Sequence, residues 1–203
     1  MRDQDMSAAL AADLDGSFEH VVVAYQQRLY AFALRLTGNP QDAEEITQDA
    51  FVRAYHALTT YPASRIKTLA LRPWLHQIAL NVFRNRVRQR HLQLVPLDQG
   101  NEEGNLALED DQEAGPDTAL ERAELKASLD ALVVALPERY RLAVVLRHIQ
   151  GLGYGEMAVV LKQPIGTVKA NVHRGVRMLR EALDRSEHTE PSRAQLNAPR
   201  RRK

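Results

Sequence analysis

Between Gly166 and Leu183 the chain reads GTVKANVHRGVRMLREAL. Two groups of side chains on it could contact DNA. Thr167, Lys169, Ala170 and Asn171 come first. Asn makes a paired contact with adenine, Lys reaches guanine, and an alanine methyl meets the methyl of thymine. His173, Arg174, Arg177 and Arg180 follow, and cations placed there suit phosphates, which supply affinity rather than sequence choice. The same arginines also suit a plain solvated helix face. A membrane surface, an acidic partner and a DNA groove all remain open to this segment taken alone. The elements around it narrow the choice.

Val168, Val172 and Leu179 make an apolar seam along the segment, and "KQP" separates it from a shorter one, "GYGEMAVVL", whose Met157, Ala158 and Leu161 face inward. Two short helices a few residues apart follow the helix-turn-helix plan, in which the second enters a major groove about 12 Å wide. Upstream, Leu125, Leu129, Leu132 and Leu136 predict one more helical seam, Pro137 restarts the chain, and Leu142, Val145, Leu146 and Ile149 predict another.

The N-terminal half has the same 3–4 periodicity. Phe18, Val22, Tyr25, Leu29, Phe32 and Leu36 predict a buried helix face, with Ser17 as its cap and "TGNP" as its end. A second helix is expected from about Asp42, with Ile46, Ala50, Ala54 and Leu58 inward. The next stretch, to Pro73, reads as a loop with a short helix. Pro73 fits the first turn of a third helix. Trp74, Leu75, Ile78, Ala79, Val82 and Phe83 line its apolar side, and Arg84, Arg86, Arg88 and Arg90 follow. Cations two residues apart spread around a helix instead of forming one stripe, a layout that can grip a strand that wraps. Trp74 and Phe83 suit either core packing or a stacking platform.

Residues 93 to 120 carry eight acids, from Asp98 to Asp117, and no Lys or Arg, so the formal net charge of +1 hides a basic character elsewhere. Such a segment cannot repay its ordering entropy unaided. The expected plan is all-α: a helical domain over 1–95, an acidic linker over 96–117, a helix-turn-helix domain over 118–186, and a polar basic tail over 187–203. The absence of cysteine excludes disulfides, thiol nucleophiles and cysteine-bound zinc. The histidines show no metalloprotease spacing, and no Walker, nucleophile-elbow or dinucleotide-binding pattern is present. No cofactor or metal site is expected, nor an enzyme. No signal peptide or membrane-spanning run is read, so a cytoplasmic protein is expected.

"TGNPQDAEEITQDAFVRAYHAL" with "WLHQIALNVFRNRVRQR", and then "LPERYRLAVVLRHIQGLGYGEMAVVLKQPIGTVKANVHRGVRMLREAL", resemble regions 2 and 4 of a bacterial RNA polymerase sigma factor. The class resembled is the extracytoplasmic-function (ECF, group 4) class of the sigma-70 family. The resemblance covers roughly 17–92 and 122–184. It implies that Asp42, Glu45, Gln48 and Asp49 dock on the clamp of the largest polymerase subunit, and that region 4 touches the flap of the second largest. It implies minus-10 promoter contacts by Trp74, Asn81, Arg84, Arg86, Arg88 and Arg90, the segment through Trp74 to Asn81 opening the duplex and holding a flipped base. It implies minus-35 contacts by Thr167, Lys169, Asn171, His173, Arg174 and Arg177. An anti-sigma protein is a frequent further partner in the family, whose free members can close their two domains together. The chain departs from the family pattern at Pro164, in place of a usual Ser cap, at Asn171, where Arg is frequent, and at Gly175, a helix glycine costing roughly 1 kcal/mol relative to Ala. The competing reading is a dimeric duplex-DNA regulator, which leaves the first domain without a role. An amphipathic membrane-surface protein fits less well, because the apolar seams are narrow.

Overall fold

The computed structural model describes residues 3–93 and 116–189, with side chains described within 3–90 and 125–185. Every regular element among them is helical. The acidic linker expected over 96–117 lies outside the described residues up to position 115, and so does the tail from 190 on.

The first module holds α1 (Asp3–Ala12), α2 (Leu14–Thr37), α3 (Pro40–Thr60), α4 (Ala63–Lys67) and α5 (Leu71–Gln93). The expected seam of α2 is buried at Tyr25, Leu29, Phe32 and Leu36. It packs on Ile46, Ala50, Ala54 and Leu58 of α3 and on Leu75, Ala79 and Val82 of α5. Each large apolar side chain so buried contributes about 1.5–3 kcal/mol. The start of α2 differs from expectation: Asp13, not Ser17, caps it, its carboxylate accepting from the Gly16 N–H at 3.0 Å. At the other end Gly38 takes φ 69°, a left-handed closure that suits glycine. Asn39 then caps α3 through the Asp42 N–H (3.1 Å), with Pro40 in the first turn.

Helix α1 is absent from the sequence reading. It is pinned by Met6 and Leu10, by Ser7 Oγ donating to the Leu69 carbonyl at 2.8 Å, and by Tyr25 OH donating to Asp3 at 2.5 Å.

The second module holds α6 (Pro116–Ala135), α7 (Glu138–Val144), a π-helical turn over Val145–Ile149, α8 (Tyr154–Leu161) and α9 (Ile165–Thr189). In the π turn the Gln150 N–H reaches back five residues to the Val145 carbonyl (2.9 Å). Met157, Leu161, Val168 and Val172 are buried as expected. Lys162 closes α8 at φ 53°, and the following residues lead straight into α9. Gly175 corrects the sequence-based cost. A Cβ there would stand 2.6 Å from Val144 Cγ2 and 3.2 Å from the Tyr140 carbonyl oxygen, so close approach of α9 to α7 requires glycine. The α6 seam also differs: Leu125 and Leu129 are exposed, whereas Asp130, Val133 and Leu136 are buried.

The reason is that α6 faces the first module. Arg35 Nε meets Asp130 Oδ1 at 3.0 Å with both side chains under 10 % exposed (9 and 6 %). Arg141 Nη1 donates to the Leu36 carbonyl (2.8 Å), Arg72 donates to the Gln150 carbonyl, and Gln77 Nε2 donates to the Val159 carbonyl (3.4 Å). The core is continuous across this joint. His76 is fully buried in it. Its Nδ1 donates to the Arg72 carbonyl (2.8 Å) and its Nε2 lies 3.1 Å from Gln150 Oε1. Burial pushes its pKa down, against the pull of its hydrogen bonds to Arg72 and Gln150.

Candidate nucleic-acid interface

Two arginine-rich helices supply the candidate surfaces. On α9 the seam of Val168, Val172 and Gly175 is seated on the rest of the module, which turns the opposite face outward. Lys169, His173, Arg177 and Arg180 recur at steps of four, four and three, so they form one exposed stripe. Thr167 and Arg174 are exposed beside it. Lys169 Nζ lies 5.5 Å from the centre of the Tyr154 ring, and Arg177 meets Glu181 at 3.6 Å. Asn171 does not join this face. It is buried, and its amide donates to Gln163 Oε1 across the turn (3.4 Å), which makes it a brace between α8 and α9.

On α5 the two-residue spacing divides the arginines into two rows. Arg86 and Arg90, four apart, face α3. Arg86 meets Glu45 at 2.5 Å and Asp49 at 3.1 Å, and the Glu45 carboxylate beside it raises its pKa. Arg90 holds both oxygens of Asp42, at 2.9 and 2.5 Å. Arg84 and Arg88 make the other row: Arg84 points to Glu138 of the second module (3.7 Å), and Arg88 donates to Asn85 Oδ1 (3.3 Å). An open groove of about 340 Å³ is bordered by Arg86, Arg88 and Arg90 of α5 and by Asp49 and Arg53 of α3. The sequence reading left out Arg53; its i,i+4 step from Asp49 on α3 was the available signal. Gln48 is exposed and donates to Glu44 Oε1 at 3.2 Å.

Trp74 is half-buried and tilted against Tyr61, ring centres 6.1 Å apart. The Arg65 guanidinium sits 3.6 Å from the centre of the Tyr61 ring. Asn81 is exposed farther along α5. Tyr61 and Arg65 were also missed, because they lie in the stretch without clear periodicity. Among the described residues no group of three or more His, Asp or Glu side chains is arranged to hold a metal, and no helix is long and apolar enough to cross a membrane.

Family models of sigma-70 region 2 and sigma-70 region 4 match residues 21–92 and 126–179. The RNA polymerase sigma-H factor of Pseudomonas aeruginosa is 30% identical over 91% of this chain and 93% of its own length. The ECF sigma factor SigW of Bacillus subtilis is 31% identical over 82% of this chain and 89% of its own. The chain belongs to the ECF sigma factors of the sigma-70 family. As such it is a promoter-recognising factor that initiates transcription with RNA polymerase. A third sigma factor, SigE of Mycolicibacterium smegmatis, is 34% identical over 82% of this chain, which spans 62% of that protein. The fold is also similar to that of the Bartonella quintana sigma factor RpoE, solved with the anti-sigma factor NepR (TM-score 0.66, 24% identity, 82% of this chain and 96% of that one). CnrH, solved with the cytosolic domain of CnrY, is similar at TM-score 0.59 and 22% identity, over 90% of this chain and 97% of that one. In sigma-factor terms α5 belongs to region 2, and α8 with α9 forms the helix-turn-helix of region 4.

Proposed function

We propose that this sigma factor works in the cytoplasm and divides promoter recognition between its two arginine-rich helices. The outward stripe of Lys169, His173 and Arg177 carries the reading for region 4: α9 enters the major groove at the minus-35 element, Lys169 facing base edges and Arg174 and Arg177 facing phosphates. Region 2 docks on the polymerase clamp through Asp42, Glu45, Gln48 and Asp49. Its α5 holds the opened minus-10 strand along Arg84, Arg86, Arg88 and Arg90. Tyr61, Trp74 and Arg65 offer ring and guanidinium faces on which an extruded base can stack, repaying unstacking of about 1.4 kcal/mol per base-pair step. Polymerase makes the RNA, and the chain contributes no catalytic group.

The two elements lie some 25 base pairs apart by their names, about 85 Å at 3.4 Å per step. A compact body of this chain length has a radius of gyration of about 17 Å, so the modules separate at the joint when both elements are held. An anti-sigma protein, of the kind bound to the B. quintana factor, is a fitting regulator of that opening.

The test is association with core polymerase, followed by binding to matched and scrambled upstream elements. The complex is expected to form. Lys169→Ala is expected to narrow discrimination at the upstream element by roughly 5- to 150-fold, the weight of one good base contact, and Arg84→Ala is expected to leave that ratio unchanged. Duplex binding without core association would favour the dimeric regulator instead.

A further inference from the structure

The carboxylates assigned to polymerase docking and the arginines assigned to the minus-10 strand are bound to one another. Asp42, Glu45 and Asp49 share one face of α3, and Arg90 and Arg86 meet them in reverse order along α5. Asp42 decides how the pairing works. Its side chain is only 15 % exposed and both its oxygens are taken by Arg90, whose own side chain is 63 % exposed. Arg90 therefore lies over Asp42 on the solvent side. Another cation reaches Asp42 from solvent only past the Arg90 guanidinium. Glu45 and Asp49 each give one oxygen to Arg86 and retain one.

We propose that this ladder is an exchange device: a basic surface that docks on Asp42, Glu45 and Asp49 displaces Arg90 and Arg86, which are thereby released to bind nucleic-acid phosphate. The inference rests on the assignment of α3 to polymerase and α5 to promoter DNA, and adds that the two contacts are ordered. In the free chain Arg86 and Arg90 are occupied. On the docked chain they have lost their internal carboxylates and turn to the strand. Each pair has one partner well exposed to solvent (Glu45 47 %, Asp49 46 %, Arg90 63 %) and is therefore individually weak. Each weights the equilibrium by roughly 1.4- to 5-fold, and the three together by roughly 3- to 150-fold. That is enough to bias the order of binding without locking the free chain.

The experiment is a mutant cycle on the full chain without polymerase, read by fluorescence anisotropy on a labelled single-stranded oligonucleotide over a salt series. Circular dichroism melts check that each variant is folded. The triple variant Asp42→Asn, Glu45→Gln, Asp49→Asn imitates docking. It is expected to bind the strand roughly 3- to 150-fold more tightly, with a salt slope steeper by roughly 0.7 per freed arginine. The gain should vanish when Arg86→Ala and Arg90→Ala are added. A gain of equal size in that background would reflect bulk charge and overturn the exchange, as would no gain at all. Should the triple variant melt early, Asp42→Asn alone, compared with and without Arg90→Ala, carries the same test. A separate arm measures Arg86→Ala, Arg90→Ala already bound to core polymerase on promoter DNA. Undiminished promoter affinity there would refute the assignment of α5 itself. A loss there together with no gain in the free chain would refute only the exchange.

Discussion

Helices α5 and α9 are both rich in arginine, yet their cations are in opposite states. On α5, Arg84, Arg86 and Arg90 each meet a carboxylate from another helix. On α9, Lys169, His173, Arg174 and Arg180 are exposed, and Arg177 meets only a carboxylate one turn along its own helix. A count of formal charge treats the two alike. What a phosphate meets is the charge left over after the chain's own acids are satisfied. By that measure α9 is ready to bind and α5 is held in reserve, covered on one side by α3 and on the other by the second module.

Breaking the joint that covers α5 should have the largest effect. Asp130→Ala leaves the Arg35 guanidinium buried without its carboxylate, and the expected loss is about 3–5 kcal/mol, measured by denaturant unfolding. A loss below about 1 kcal/mol would mean that Arg35 escapes to solvent and that the joint is loose. The next effect sharpens the other side of the contrast. Gly175→Ala improves helix propensity, yet its methyl meets Val144 Cγ2 at 2.6 Å. Destabilisation of about 1–3 kcal/mol is expected from the overpacking, visible as an earlier thermal transition; stabilisation would show that α9 sits farther from α7. The smallest effect is pH-dependent. Burial holds the pKa of His76 below the ordinary 6.5, so the unfolded or opened chain binds more protons than the closed one as pH falls below that value. Stability is thus full above about pH 6.5 and declines as pH falls toward the lowered native value. His76→Gln should flatten the decline in melts taken across that range.

The long helices were legible because each carries its own apolar period: Tyr25 to Leu36, Ile46 to Leu58, and Val168 to Val172 are buried as their spacing predicts. Regions 2 and 4 were legible from their motifs. What escaped depends on pairing across long sequence distance. Asp130 reads as a surface acid until Arg35, 95 residues earlier, is set beside it, and that pairing turns Leu125 and Leu129 outward. Helix α1 has only Met6 and Leu10 as large anchors, too few to declare a period. Asn171 has the right chemistry for adenine, but Gln163 takes its amide. The two-residue spacing does spread the α5 arginines around the helix, but nothing in local spacing shows that α3 claims half of them.

The π turn over Val145–Ile149 ties the length of the polypeptide to the register of everything beyond it. Removing one residue from that loop of backbone would restore ordinary helical winding at little local cost. It would also swing the following chain by about 100°, carrying Gln150 away from His76 and re-aiming α8 and α9. Side-chain identity there can drift within the limits of packing, but the number of residues cannot.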